Sequence, residues 1–279
     1  MSRRGGPPAG SLARVLRSFA EGAVLGELWG PSPPEVIALH GWRRTHSDFR
    51  SVLGPGSGVG PCASAAIDLP GFGASPPPPE VWGSPEYAQL VARVVEELAS
   101  ETGGARPRPM VVLGHSFGGR VAVYLAASRP DLVRALVLTG APLAKRDGPS
   151  RTPPAGFRAV RRLRRAHLVP EATLERARRR YGSADYLAAQ GIMRQVLVRL
   201  LAERYDEQLS RIRCPMELVW GDDDTEAPLW IAERVASGVA GANLTVCHGA
   251  GHLTPLSVPE VLRRAVDRLL GAPCSTGSG

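Results

Sequence analysis

Apolar residues in this chain fall into short, nearly unbroken runs, separated by stretches where they recur every three or four positions. The runs lie at residues 23–29, 36–39, 63–67, 110–113, 135–139, 216–220 and 243–246. Strands covered on both faces read this way. Tyr87, Leu90, Val91, Val94, Val95 and Leu98 keep helical spacing over 84–100, with Ser84 or the Pro85-Glu86 start as its cap. Further helices are predicted over 119–127 and 259–270, the second opening on Pro259 and closing before Gly271. Strands alternating with helices in this rhythm predict an α/β fold. It would be a mostly parallel, twisted central sheet of about eight strands with helices on both faces. Residues 1–20 are expected to form a loose arm with a short helix over 11–19. The tail 273–279 is expected to be disordered.

The rhythm stops after Pro142. Residues 143–210 contain helical patterns at 155–167, 171–181, 184–189 and 192–209, and no strand pattern. The expected organisation is therefore a core made of 1–142 and 211–272, with a helical insertion at 143–210. That insertion carries 15 basic and 7 acidic residues, which accounts for the whole net charge of +8. Only Lys145 is a lysine. Arg161-Arg162, Arg164-Arg165 and Arg178–Arg180 read as solvated helix surface. The alternative is a face for an anionic substrate or acidic partner. Aromatic residues are 5% of the chain and none interleave with the arginine runs. The stacking platforms of a nucleic-acid binder are thus missing, and no nucleic-acid partner is expected.

Cys62, Cys214, Cys247 and Cys274 are too widely spaced for a metal site or a disulfide framework. Reduced thiols and a cytoplasmic location are expected. No apolar run approaches the ~18–20 residues of a membrane helix, so no membrane span is expected. Ser2-Arg3-Arg4 hints at an export signal, but Gly5-Gly6-Pro7-Pro8, Arg17 and Glu21 break any apolar region behind it.

Against this scaffold one segment stands out. Gly114-His115-Ser116-Phe117-Gly118-Gly119 lies between a strand run and a helix pattern. A serine hydroxyl is a weak nucleophile unless a sharp turn presents it beside a base and an oxyanion hole. The best-placed base is His252, in the loop between the last strand run and the last helix; His248 is the competing choice. Loops at the carboxyl ends of parallel strands converge on one crevice. Asp222-Asp223-Asp224 follows the penultimate strand run at the same edge, and one of the three should orient the histidine. Asp224 is favoured because it has cleared the strand-ending Gly221. A metal site in these aspartates is not expected, since oxygen cages draw on alternating ligands brought round by a turn. The amide of Phe117 is one expected oxyanion donor. The amide of Trp42, after His40-Gly41, is the other.

These motifs in this order resemble the α/β-hydrolase superfamily: His-Gly at 40–41, Asp-x-Pro-Gly-x-Gly at 68–73, Gly-His-Ser-x-Gly-Gly at 114–119, Trp-Gly-x-x-Asp at 220–224 and Gly-Ala-Gly-His at 249–252. The resemblance covers about residues 23–270 apart from the insertion. It implies Ser116 as nucleophile, Asp224 as acid, His252 as base, and a helical cap at 143–210. No cofactor or metal is implied. Branches with an aspartate nucleophile are disfavoured by Ser116. The activity implied is that of a serine hydrolase on a small or medium carboxylic ester, a small-molecule substrate, in a monomer or homodimer. A C–C bond hydrolase of meta-cleavage-product type, a lactonase or a cofactor-free perhydrolase remain alternatives, and a non-enzymatic ligand receptor is a further one. His40, Gly41, Tyr186, Met193 and Arg194 are candidate substrate contacts, with Arg194 or Tyr186 expected over Ser116. His115 is expected to pack behind the serine turn, and His46 to lie on the surface or in the cap.

Overall fold

A computed structural model describes residues 15–58, 60–100, 108–145, 155–181 and 184–271. Eight strands form one sheet: β1 (Val15–Phe19), β2 (Val24–Trp29), β3 (Val36–Leu39), β4 (Ser64–Asp68), β5 (Met110–His115), β6 (Val133–Thr139), β7 (Met216–Gly221) and β8 (Ala242–Cys247). Their order is β1-β2-β4-β3-β5-β6-β7-β8. β2 runs antiparallel to β1 and β4, and the pairs from β4 through β8 are parallel. The expected mostly parallel sheet of about eight strands is the one observed.

The unbroken apolar runs have a direct cause. Alternate side chains of each strand point into two different cores. Ile37, Leu39, Val112, Leu136, Leu138 and Leu218 face one cluster, whereas Val36, Ala38, Val111, Leu113, Val137 and Val219 face the other. The first core is covered by α2 (Ser84–Ser100) and α3 (Phe117–Ser128), preceded in the chain by α1 (Arg50–Leu53). Tyr87, Val91, Val94 and Val95 of α2 are buried there, as the helical spacing required. The second core is covered by α1 and by the final helix, whose Leu262, Ala265 and Val266 are buried.

Between β6 and β7 the described residues form five helices: α4 (Ala155–Arg165), α5 (Glu171–Tyr181), α6 (Ala184–Ala188), α7 (Gly191–Ala202) and α8 (Asp206–Arg211). They are followed by α9 (Trp230–Gly238), α10 (Thr254–Ser257) and α11 (Pro259–Leu270). No helix of the described residues is long and apolar enough to cross a membrane.

Three local expectations are corrected. The helix expected over 11–19 is strand β1 where it is described, and residues 11–14 lie outside the described residues. The cause lies outside the segment itself: the edge of the next strand, β2, offers backbone partners to Val15–Phe19. The single helix expected over 192–209 is broken into α7 and α8. Glu203 leaves the helix there because its carboxylate accepts from the Ser84 amide at 2.9 Å and the Ser84 hydroxyl at 2.6 Å. It so caps the positive start of α2 from another part of the chain. The sequence pattern had also passed over α9, the crossover that returns the chain from β7 to β8. The predicted tail at 273–279 lies outside the described residues.

Candidate active site

Ser116 connects β5 to α3 with φ 51° and ψ −110°, a left-handed conformation that serine adopts only under constraint. Such strain costs on the order of 1–3 kcal/mol and must be held by its surroundings. The Ser116 amide donates to the Thr139 carbonyl of β6 at 2.9 Å. Close packing does the rest. A Cβ on Gly114 would sit 2.6 Å from the Gly119 Cα, and one on Gly118 would sit 2.1 Å from the Leu39 carbonyl oxygen. Glycine is therefore required at these turn positions by contact with the neighbouring strand and helix.

His252 arrives from the loop between β8 and α10. Its Nε2 lies 3.0 Å from the Ser116 Oγ, and its Nδ1 lies 2.8 Å from Asp224 Oδ2. Asp224 arrives from the loop after β7 and is 3% exposed. Its other oxygen accepts the amides of Glu226 at 2.9 Å and Ala227 at 2.8 Å. A buried carboxylate so satisfied stays where it is placed. Gly140, at the end of β6, lies beneath the pair: a Cβ there would be 3.1 Å from the His252 ring and 3.3 Å from Asp224 Oδ2. Burial lowers the basicity of His252. The hydrogen bond and charge of Asp224, with the charges of Glu226 and Asp185, outweigh it and hold the imidazole above its ordinary value.

The other aspartates of the run go elsewhere. Asp222 accepts from His248 Nδ1 at 2.8 Å and from the Gly249 amide, both at the exposed surface. The His248 side chain is 88% exposed, so the competing histidine points away from Ser116.

The loop after β3 is pinned against the serine turn. The Gly118 amide donates to the His40 carbonyl at 3.0 Å. Among the described residues the amides of Phe117 and Trp42 donate to no protein group, which leaves both free for an anionic oxygen. Gly41 must be glycine because its Cβ would fall 2.8 Å from His115 Nδ1. His40 is fully buried and does not line the cavity. The Leu69 amide donates to its Nε2 at 2.9 Å, so the ring proton is on Nδ1, which donates to the Gly41 carbonyl at 2.7 Å. Burial pulls its pKa down to about 4, so this one tautomer persists. His115 is buried too, with its pKa also lowered to about 4 by burial; its Nε2–H donates to the His252 carbonyl at 2.9 Å. Behind this backbone the rings of Trp42, Phe72, Phe117 and Tyr87 pack edge to face, 4.8–5.7 Å apart for three of the pairs.

The cavity at Ser116 has a volume of about 320 Å³ and is lined by Gly41, Trp42, Arg43, Arg44, His115, Asp185, Glu226, His252 and Leu253 around the serine. Gly41 and Trp42 are thus where the sequence pattern puts them. Tyr186, Met193 and Arg194 are not among the lining residues. The Arg194 guanidinium is spent on Glu175 at 2.7 Å and the Ala189 carbonyl at 2.9 Å, and it lies over the Tyr186 ring. The Tyr186 hydroxyl donates to Glu175 at 2.7 Å. Met193 packs on the core by Gly71. His46, expected at the surface, is instead mostly buried: its Nδ1 is 2.9 Å from Asp68 and its Nε2 3.4 Å from Glu27.

Four charged lining residues were not anticipated. Arg43 and Arg44 directly follow Trp42, and Glu226 stands two residues past Asp224, so nearness to the motifs was a usable signal for three of them. Asp185 carried no signal, since only the fold brings α6 over the turn. Arg43 has φ 56° and lies 3.5 Å from Asp185, while Arg44 grips Asp48 through two bonds of 2.6 and 2.7 Å.

Comparison with known proteins gives a consistent result. A family profile described as the alpha/beta hydrolase family matches residues 36–265. A 2-hydroxy-6-oxononadienedioate/2-hydroxy-6-oxononatrienedioate hydrolase of Cupriavidus pinatubonensis is 25% identical over 87% of this chain and 88% of its own length. A pimeloyl-(acyl-carrier protein) methyl ester esterase of Neisseria meningitidis is 29% identical over 81% of this chain and 89% of its own. Among solved structures, an esterase from Exiguobacterium antarcticum matches with a TM-score of 0.68 and 20% identity, covering 92% of this chain and 100% of that one. At that identity the likeness speaks to the fold.

Proposed function

Because the chain belongs to the alpha/beta hydrolase family, we propose that it is a serine hydrolase cleaving a small or medium carboxylic ester through an acyl-enzyme on Ser116. The observation that carries this reading is the unbroken chain from Ser116 Oγ through both nitrogens of His252 to the buried Asp224. As Oγ adds to the carbonyl carbon, its proton passes to His252 Nε2. The carbonyl electron pair moves onto oxygen, where the Trp42 and Phe117 amides receive it. The imidazolium, steadied by Asp224, returns the proton to the departing alkoxide as the C–O bond breaks. Water then repeats the sequence on the acyl group and releases the acid. In this reading 143–210 is a cap, and α6 is the part of it that reaches the cavity.

The rival reading, cleavage of a C–C bond, draws on the Cupriavidus relative. The dioate in that relative's name is a doubly anionic substrate. A cation free to meet it is not offered by Arg194, which is turned to Glu175, nor by Arg43, which faces Asp185. The ester reading is therefore preferred.

Ser116→Ala is expected to lower kcat on p-nitrophenyl butyrate by at least about 10³-fold. A fluorophosphonate should label the native protein and not this variant. Turnover near the native rate in the variant would sink the assignment.

A further inference from the structure

Charge around the cavity is unevenly compensated. Arg44 is neutralised by its two bonds to Asp48. Arg43 and Asp185 face each other at 3.5 Å. Glu226 has no such partner: among the described residues the only basic group within 4.0 Å of its carboxylate is His252 Nε2, at 3.5 Å. The backbone that carries Glu226 is fixed, because its amide is bound to Asp224 Oδ1 at 2.9 Å. The same short loop thus presents one carboxylate to each nitrogen of the imidazole.

The position of Glu226 is chemically specific. The nitrogen it approaches is the one that must protonate the leaving group. A leaving-group oxygen within about 3 Å of that nitrogen lies no more than about 6.5 Å from the nearer Glu226 carboxylate oxygen. A charge carried there meets a fixed negative neighbour.

We propose that Glu226 is a specificity-determining residue, and that it directs the Ser116 site toward esters whose leaving alcohol is cationic and away from those whose leaving group is anionic. The inference rests on the hydrolase reading above and narrows its substrate class. Its size is set by solvent. The Glu226 side chain is 66% exposed, so the interaction is that of a screened surface charge, worth about threefold to tenfold in rate for each unit of leaving-group charge. Raising the salt should shrink it.

The test compares acetylcholine with its uncharged isostere, 3,3-dimethylbutyl acetate, by kcat/KM at low and high salt. The native protein should favour the cationic ester by about threefold to tenfold at low salt. Glu226→Gln, which keeps shape and backbone, should bring the ratio close to one, and Glu226→Asp should restore part of the preference. A purely structural role would move both esters together and leave the ratio alone. A native ratio near one, or an unchanged ratio in Glu226→Gln with fluorophosphonate labelling intact, overturns the inference alone. Loss of labelling in the native protein overturns the reading of Ser116 and this inference with it.

Discussion

The carboxyl edge of the sheet and the helical segment between β6 and β7 are held by different forces. At the sheet edge, Asp224, His40 and His115 are each nearly inaccessible; His40 and His115 hydrogen-bond to backbone of another segment, and Asp224 to backbone of its own loop. In the helical segment, Arg164 pairs with Glu171, and Asp185 with Arg43 of the core, side chain to side chain while about a third or more exposed. Backbone partners fixed by neighbouring strands cannot drift without breaking the sheet, whereas exposed ion pairs contribute little and exchange readily with water. Under the proposed function, reaction geometry therefore belongs to the first region, and selection of substrate falls to the second and to the few core residues, such as Arg43 and Glu226, that reach the same cavity.

The contrast can be broken most directly at Gly41. Gly41→Ala places a Cβ 2.8 Å from buried His115 and 3.3 Å from Ser116 Cβ. The Trp42 amide must shift, and kcat on p-nitrophenyl butyrate should fall about 10²-fold with KM little changed. A loss below about threefold would mean the edge is softer than argued.

The next effect is on pH. His252 must be neutral to accept the serine proton, and its pKa is raised above the ordinary 6.5 despite burial. The groups facing it are Asp224, Glu226, Asp185 and the neutral His115. The acid limb of kcat/KM should therefore have its midpoint above 6.5. Linkage runs the opposite way. The protonated ring stabilises the fold fully below its unfolded pKa, and that contribution is lost as pH rises through the folded value. A midpoint below the ordinary histidine value, measured from pH 5 to 9, contradicts the arrangement.

The smallest effect is expected in the helical segment. Arg194→Ala removes the Glu175 pair and the Ala189 bond. It should cost about 1 kcal/mol of stability, read as a lowered Tm. The kcat/KM for neutral and acidic esters should stay within about twofold. A selective loss on acidic esters would return Arg194 to the substrate.

Much of this was legible in the sequence, for reasons visible in particular residues. The strand at Val36–Leu39 and the helices at Ser84–Ser100 and Pro259–Leu270 follow directly from pattern, because each buries an apolar face whose spacing is local. Ser116, Asp224 and His252 were readable because each stands just past a strand end, and parallel strands deliver such positions to one edge. Where the deciding partner lies outside the segment, pattern fails. β1 needs β2's edge, the break at Glu203 needs Ser84, and the burial of His46 needs Glu27 and Asp68. Arg194 looked available on an apolar stretch, yet Glu175, on the preceding long helix, takes it.

By itself the sequence determined the α/β class, the strand and helix rhythm, and the order of Ser116, Asp224 and His252 along the chain. These depend on periodicity and on short motifs that can be read along the chain. Only the tertiary structure decided which aspartate meets His252, which histidine meets Ser116, and which charges face the cavity. Those outcomes rest on distances of about 3 Å between residues well separated in the chain, 28 positions for Asp224 and His252 and 136 for Ser116 and His252, and no local pattern encodes such a distance.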